Sequence, residues 1–266
     1  MVNRRSGWQP RWSVLLFCAC ALAAAMPAWA DVVETIQRIK GSVVAVGTFE
    51  RTRSPQFQFL GTGLAVEDGS LIVTNAHVVA RLLDPAQRET YAILIPQPDK
   101  DDPNKAQVRE ATRVATDADS DLALLRISAP ALPPLKLGQS DDVKEGQEVL
   151  FTGYPIGAVL GPHPATHRAI IASVTPIAIP MSRAGELAPQ TIRRLASGQY
   201  PVFQLDATAY PGNSGSPVYD AATGEVIGIV NKVFVQGTKE AALTQPSGIT
   251  YAIPANHLRA LLQRAR

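Results

Sequence analysis

The chain has 266 residues, 46% of them hydrophobic and 18% charged, with a formal net charge of +2. That length suits one large domain or two small subdomains sharing a core, and the apolar content is ample to build it. No basic stripe accompanies the near-neutral charge, which argues against nucleic acid as a partner.

The first thirty residues read as a leader. Arg4, Arg5 and Arg11 form a basic start, Ser13–Met26 is apolar but short for a bilayer span, and Ala28 and Ala30 give an A-x-A cleavage pattern. This is the pattern of a secretory signal peptide over residues 1–30. Cleavage is expected after Ala30, leaving Asp31–Arg266 periplasmic or secreted, with no stable membrane insertion. Cys18 and Cys20, the two cysteines, both lie in the leader. The mature chain then has no thiol, which removes disulfides, a cysteine nucleophile and thiolate metal ligands.

Val32–Gly41 spaces its apolar residues as a short helix with Gly41 as its stop. Strands are predicted next over Ser42–Phe49, within Gly61–Val79, and over Thr90–Pro96, Gln107–Asp117 and Asp121–Ser128. Further strands are predicted over Glu148–Pro155, Arg168–Ile177, Pro201–Thr208, Gly224–Phe234 and Gly248–Pro254. The alternation in Gln56–Leu60 reads as a strand edge rather than a binding site. These segments are short, β-branched and punctuated by Gly, Pro and Asp, as in barrels and sandwiches. Pro254–Arg266 reads as a terminal helix with Leu258, Leu261 and Leu262 on one face. Pro134–Gln147 has the polarity of a crossing linker. The expectation is an all-β fold of two antiparallel barrels, residues 31–135 and 147–266. Within the second half, Met181–Gln199 interrupts the strands, and residues 189–196 could form a helix.

Three stretches carry chemistry. Thr74–Val79 places His77 at the end of a buried strand. Asp121 opens the apolar run Asp121–Leu125. Pro211–Pro217 presents Ser214 between Gly212 and Gly215. A serine hydroxyl needs a base to take its proton during attack, and imidazole suits that task near neutral pH. A buried carboxylate can fix the ring tautomer. The glycines allow the backbone to curl, so that N–H groups of the Gly212–Asn213–Ser214 loop, Gly212 and Ser214 in particular, can face one developing oxyanion.

Six motifs then follow in order: TNAHVV (Thr74–Val79), DLALL (Asp121–Leu125), GYPIG (Gly153–Gly157), GNSGSP (Gly212–Pro217), GEVIGI (Gly224–Ile229) and YAIP (Tyr251–Pro254). Together they resemble trypsin-like serine proteases of the HtrA/DegP type over roughly Val32–Leu262. The resemblance implies two six-stranded barrels of chymotrypsin type, with His77 as general base, Asp121 as orienting acid, Ser214 as nucleophile and polypeptides as substrates. No cofactor is implied. Family members usually carry PDZ domains after the protease. This chain stops at its terminal helix, so peptide gating through such a domain is not expected. A trimer is doubtful and a monomer favoured. Asn213 stands where digestive relatives have an acid that pairs with a freed N-terminus, so that mode of zymogen activation is not expected.

In this fold the first specificity pocket is lined by the residue six before the nucleophile and by two later strands. Here these are Thr208, then Asn231, Lys232 and Val233, then Ile249. None is acidic, which favours small or aliphatic side chains. Met181–Gln199 is expected to rim the cleft.

Competing assignments are weaker. Asp117 and Asp119 rival Asp121 but lack its apolar neighbours. Ser216 is read as a small residue after the turn. His163 and His167 are four apart, but Pro162 and Pro164 disfavour a helix and no third ligand is evident, so no metal is assigned. An α/β-hydrolase esterase would need Gly-x-Ser-x-Gly and the reverse order of site residues. A noncatalytic relative that holds unfolded chains is the remaining alternative, and its signature would be a missing triad member.

Overall fold

Several strands, such as Val43–Phe49, Leu122–Ile127 and Val226–Val230, bury residues on both faces, and the architecture supplies two places for them. The computed structural model describes residues 28–97, 101–102, 104–157, 161–176, 200–231 and 248–266. Helix α1 (Ala28–Lys40) leads into strands β1 (Val43–Phe49), β2 (Phe57–Val66) and β3 (Leu71–Asn75), a 3₁₀ turn (Ala76–Val79), then β4 (Thr90–Pro96), β5 (Ala106–Asp117) and β6 (Leu122–Ile127). After a linker come β7 (Glu148–Gly153), β8 (Ala165–Pro176), β9 (Pro201–Leu205), β10 (Pro217–Asp220), β11 (Val226–Val230), β12 (Thr250–Pro254) and helix α2 (Ala255–Arg264).

The strands close into two antiparallel barrels, in the orders β1-β2-β3-β6-β5-β4 and β10-β11-β12-β9-β8-β7. Closure removes exposed sheet edges. Side chains alternate along each strand. In β1, Val44 and Val46 fill the first barrel with Ile72, Ile93 and Leu125. The alternate residues Val43 and Ala45 face the second barrel, in a shared core with Leu64, Leu124, Leu150, Tyr154 and Ile229. The second barrel is filled by Val149, Phe151, Ile171, Phe203, Leu205 and Val218. Leu258, Leu261 and Leu262 of α2 join the shared core, the face expected from their spacing.

The linker works as a seam. Leu135 N–H donates to the Ala65 carbonyl at 2.9 Å, and Val226 N–H donates to the Lys136 carbonyl at 2.8 Å. Arg259 of α2 donates to the carbonyls of Leu137 and Gly138 at 2.7 and 2.9 Å. Residues 134–138 are therefore pinned to both barrels.

Three expectations change in detail. Helix α1 begins at Ala28, inside the expected leader. The stretch 61–79 resolves into the second half of β2, a turn, β3 and the 3₁₀ turn, with Asp68 accepting the Ser70 N–H at 2.9 Å in that turn. A strand absent from the sequence reading, β10, follows Ser216 at once. The helix expected over 189–196 lies outside the described residues. Among the described residues, no helix is long and apolar enough to cross a membrane.

A charged group buried in the first barrel gives the fold a pH dependence. Glu89, its side chain 1% exposed, holds Arg53 at 2.9 Å and Arg81 at 3.3 Å. Burial alone would raise its carboxyl, but hydrogen bonds involving Thr48, Asp84 N–H and Arg53, with the charge of Arg81, hold it below its ordinary value of 4.5. A carboxyl depressed in the folded state contributes stability above its unfolded value, lost as pH falls through the folded value. Wild-type stability in urea should therefore fall as pH drops below about 4.5. Glu89→Gln should cost about 2–3 kcal/mol at pH 7 and flatten that acid slope.

Candidate active site

The geometry starts from the pairing of two strands. Asn75, the last residue of β3, lies opposite Leu122, the first residue of β6. The chain just past β3 and the chain just before β6 are thus neighbours. His77 stands on the 3₁₀ turn that continues β3, and Asp121 on the residue preceding β6. The Asp121 carboxylate takes both available bonds from His77: Oδ1 accepts its N–H at 2.9 Å, and Oδ2 lies 2.6 Å from ring Nδ1. An ionised carboxylate only accepts, so Nδ1 carries a proton, and in the neutral ring Nε2 keeps its lone pair. Asp121 is 8% exposed. Its φ of 53° is one that few non-glycine residues adopt. Its carbonyl accepts the Ala76 N–H at 3.0 Å and the Asn75 side chain at 3.1 Å, which hold that conformation.

Ser214 comes from the other barrel, on the loop between β9 and β10. Its carbonyl accepts the Thr62 N–H of β2 at 2.8 Å. Gly61 marks the meeting point. A β-carbon placed there would lie 2.8 Å from the Val78 side chain and 3.0 Å from the Ser214 carbonyl oxygen. The residue after His77 and the backbone of Ser214 thus share one neighbour in β2.

The loop itself is oriented carbonyl by carbonyl. In a trans peptide the C=O and the following N–H point in opposite directions. The Pro211 carbonyl accepts the Ile156 N–H at 2.7 Å. It is thereby turned toward the 154–157 segment, and the Gly212 N–H faces the other way. The Asn213 carbonyl accepts the Ser216 N–H at 3.0 Å, which turns the Ser214 N–H outward. Neither the Gly212 nor the Ser214 N–H has an acceptor among the described residues. The Asn213 N–H donates to the Tyr210 carbonyl at 3.0 Å, so Asn213 shapes the loop and is not one of its free donors. The glycines are needed. Gly212 has φ +106°, and a β-carbon there would meet the Tyr154 carbonyl at 2.3 Å; Gly215 has φ +90°, and one there would meet the Thr62 carbonyl at 2.0 Å.

Such an arrangement can move a proton through Nε2 and offer two aligned donors to a negative oxygen. Of the rival carboxylates, Asp119 is exposed and Asp117 is occupied elsewhere. Asp117 accepts the N–H groups of Asp119 and Ser120 and pairs with Arg264 at 2.5 Å. His163 lies 2.9 Å from Asn104, whereas His167 stacks on Phe151 at 4.7 Å, with burial lowering its pKa. They face different partners. Ser216 is fully buried. Thr208, Asn231 and Ile249 follow β9, follow β11 and precede β12, which lie side by side in the barrel. Lys232, Val233 and Met181–Gln199 lie outside the described residues.

Sequence reasoning missed the residues that hold the loop. Thr62 Oγ1 donates to the Gly212 carbonyl at 2.7 Å and accepts the Tyr154 N–H at 3.1 Å. Its signal was a lone hydroxyl between two glycines, Gly61 and Gly63, in the buried half of β2. Ile156 has φ +59°. Its signal was the Pro155–Gly157 flank, which marks a turn but not its partner.

Two closed antiparallel barrels, with a paired His and Asp from one and a glycine-flanked serine loop from the other, define a protein of the chymotrypsin-like fold class. The sequence model of the trypsin-like peptidase domain matches residues 61–229, and the chain belongs to that family as an HtrA-type domain. It is 32% identical over 203 residues to a Pseudomonas fluorescens protein named "Probable periplasmic serine endoprotease DegP-like", covering 76% of this chain and 34% of that one. A Halomonas elongata protein of the same name is 32% identical over 211 residues, covering 79% and 35%. The chain thus spans about a third of the length of these curated relatives. Among solved structures, the HtrA-type protease AlgW with a tripeptide is similar at TM-score 0.60 and 25% identity, over 89% of this chain and 63% of that one. Deg5 shares the fold at TM-score 0.60 and 23% identity, over 88% and 93%.

Thr62 provides a test of how the loop is held. Thr62→Val keeps the shape but leaves the Gly212 carbonyl and the Tyr154 N–H without a partner. It should cost about 2–4 kcal/mol in denaturant unfolding and lower peptide-hydrolysis kcat by about 10–100-fold. Thr62→Ser, which keeps the hydroxyl, should recover most of both losses.

Proposed function

We propose that the protein is an exported, periplasmic serine endopeptidase that cleaves polypeptides through an acyl-enzyme. Ser214 Oγ attacks the peptide carbonyl while His77 Nε2 takes its proton. Asp121 holds the ring tautomer and stabilises the imidazolium. The Gly212 and Ser214 N–H groups stabilise the oxyanion, each donor being worth roughly 10²–10³ in rate. His77 returns the proton to the leaving amine, and water releases the acyl group. Thr208, Asn231 and Ile249, none of them acidic, border the acyl-side pocket and favour small or aliphatic residues before the scissile bond. The chemistry uses only the chain's own side chains and backbone.

The observation that carries this reading is the pair of hydrogen bonds between His77 and Asp121, which occupies ring Nδ1 and leaves Nε2 available. The orientation of the Pro211–Gly212 peptide supports it. In that orientation the Gly212 N–H points away from the 154–157 segment. The names of the curated relatives support both the reaction and the compartment.

A fluorophosphonate probe reacts with an activated serine. It should label the wild-type protein and fail to label Ser214→Ala, while Ser214→Ala lowers kcat by about 10⁶. Asp121→Asn, which reverses the tautomer preference, should lower kcat by about 10⁴. Labelling that persists in Ser214→Ala would place the nucleophile elsewhere.

A further inference from the structure

Asp121 stands at the end of a hairpin turn. Asp117, the last residue of β5, lies opposite Leu122, the first of β6, so residues 118–121 make the whole connection. In so short a connection the turn geometry sets the direction of each side chain it carries. Asp121 takes its last position, with φ 53°.

Asp117 shapes that turn from its first side. Its Oδ1 accepts the Asp119 N–H at 3.0 Å and the Ser120 N–H at 3.3 Å. An aspartate bonded to the backbone two residues on fixes a local turn. Ser120 is 3% exposed, so its N–H has little water to replace that partner. The far side is held by the Ala76 and Asn75 bonds to the Asp121 carbonyl. The turn is thus gripped at both ends, and Asp121 takes the conformation that joins them.

The same turn is tied to the other barrel. Oδ2 of Asp117 pairs with Arg264, in the last turn of α2, at 2.5 Å. Tyr200, just before β9, donates its hydroxyl to the Asp119 carbonyl at 3.4 Å, and its ring lies 4.3 Å from that of His257 on α2. Helix α2 is itself fixed, by its leucines in the shared core and by Arg259 on the linker carbonyls. Two arginines at the end of the chain reach back to the first barrel: Arg264 to Asp117, and Arg266 to Glu67 at 2.5 Å. Glu67 lies in the turn that precedes β3, whereas His77 follows β3. Of the two pairs, only the first grips the turn that carries Asp121.

We propose that Asp117 and Arg264 are positioning residues for the active-site carboxylate. Asp117 shapes the turn that aims Asp121 at His77, and Arg264 transmits the fixed position of α2 to that turn. The inference rests on Asp121 orienting His77 in the proposed reaction, and it extends the apparatus to the terminal helix.

Peptide-hydrolysis kinetics and proton NMR of the His77 ring test it. Asp117→Ala should lower kcat by about 10–100-fold and Arg264→Ala by about 3–10-fold, with KM held within about twofold. Asp117→Asn keeps an acceptor for the turn but no charge for Arg264, so it should match Arg264→Ala. The Asp117→Asn/Arg264→Ala double variant should fall no further than either single change. In wild type the Nδ1 proton, 2.6 Å from heavy atom to heavy atom, should give a strongly deshielded resonance that is absent in His77→Gln. It should move upfield in Asp117→Ala and Arg264→Ala and stay in place in Arg266→Ala, which should keep wild-type kcat. Asp117→Asn and Arg264→Ala leave the backbone bonds of the turn in place, so they decide the matter even where Asp117→Ala does not fold. Wild-type kcat and an unmoved resonance in those two variants, losses that multiply in the double variant, or an equal loss in Arg266→Ala overturns the positioning role and leaves the nucleophile standing. A wild type that neither hydrolyses peptides nor takes the fluorophosphonate overturns the proposed reaction and this inference together.

Discussion

Thr62 is wholly buried, and three of its four hydrogen bonds run from the first barrel to the second. Its N–H holds the Ser214 carbonyl, its hydroxyl holds the Gly212 carbonyl and receives the Tyr154 N–H, and its own carbonyl receives the Thr74 hydroxyl at 2.7 Å. Hydrophobic contact between the barrels sets their distance but resists sliding only weakly, because it has no direction. Hydrogen bonds do resist it, and a buried polar group left unpaired costs about 1–3 kcal/mol. Three such bonds at one residue fix the register of the barrels at the point where the serine loop crosses between them. The loop is short of side chains to pack, so it takes its shape from this anchor.

The His77–Asp121 pair depends on a different device. His77 sits two residues past the end of β3 and Asp121 one residue before the start of β6, and those strands are paired in register. The position of a carboxylate against an imidazole is thereby reduced to the geometry of a sheet ladder, whose spacing is fixed. The φ of Asp121 breaks the local preference of the chain, at a cost of about 1–3 kcal/mol. The carboxylate–ring hydrogen bonds and the two bonds to the Asp121 carbonyl offset it. Strain at this one residue aims both carboxylate oxygens at His77 instead of letting them follow the strand into the core.

The sequence made the strand inventory and the barrel pair legible because each strand carries a local signal: β-branched apolar residues bounded by Gly, Pro or Asp. Asp121 stood out from Asp117 and Asp119 by its neighbours. Of these three, it is the carboxylate beside His77 in the structure. What escaped was non-local. A threonine in GTG looks like any strand residue, and only the register between β2 and the 211–215 loop reveals that it grips the Gly212 carbonyl. The turn at Ile156 was visible, but not that its N–H would hold Pro211. Strand β10 escaped because four residues directly after a glycine-rich loop carry little periodicity. The helix α1 boundary differed because helix propensity continues through Ala28–Ala30 regardless of a cleavage pattern there.

Asn213 shows how the loop can be held without charge. It is fully buried behind Ser214, and its backbone is committed in both directions, N–H to Tyr210 and carbonyl to Ser216. A carboxylate at this depth would demand a cationic partner, because burying an unpaired charge is far more costly than burying an amide. An ammonium group delivered to that position is one solution, and it makes the loop conditional on the delivery. A neutral side chain makes no such demand. Helix α1 accordingly packs elsewhere, with Arg38 donating to the Thr223 carbonyl at 3.0 Å on the β10–β11 turn. The conformation of the 211–215 loop then rests on neutral hydrogen bonds from Thr62 and Ile156 and on the edge of Phe59. These contacts are set once the barrels close on each other, and they orient the Gly212 and Ser214 N–H groups.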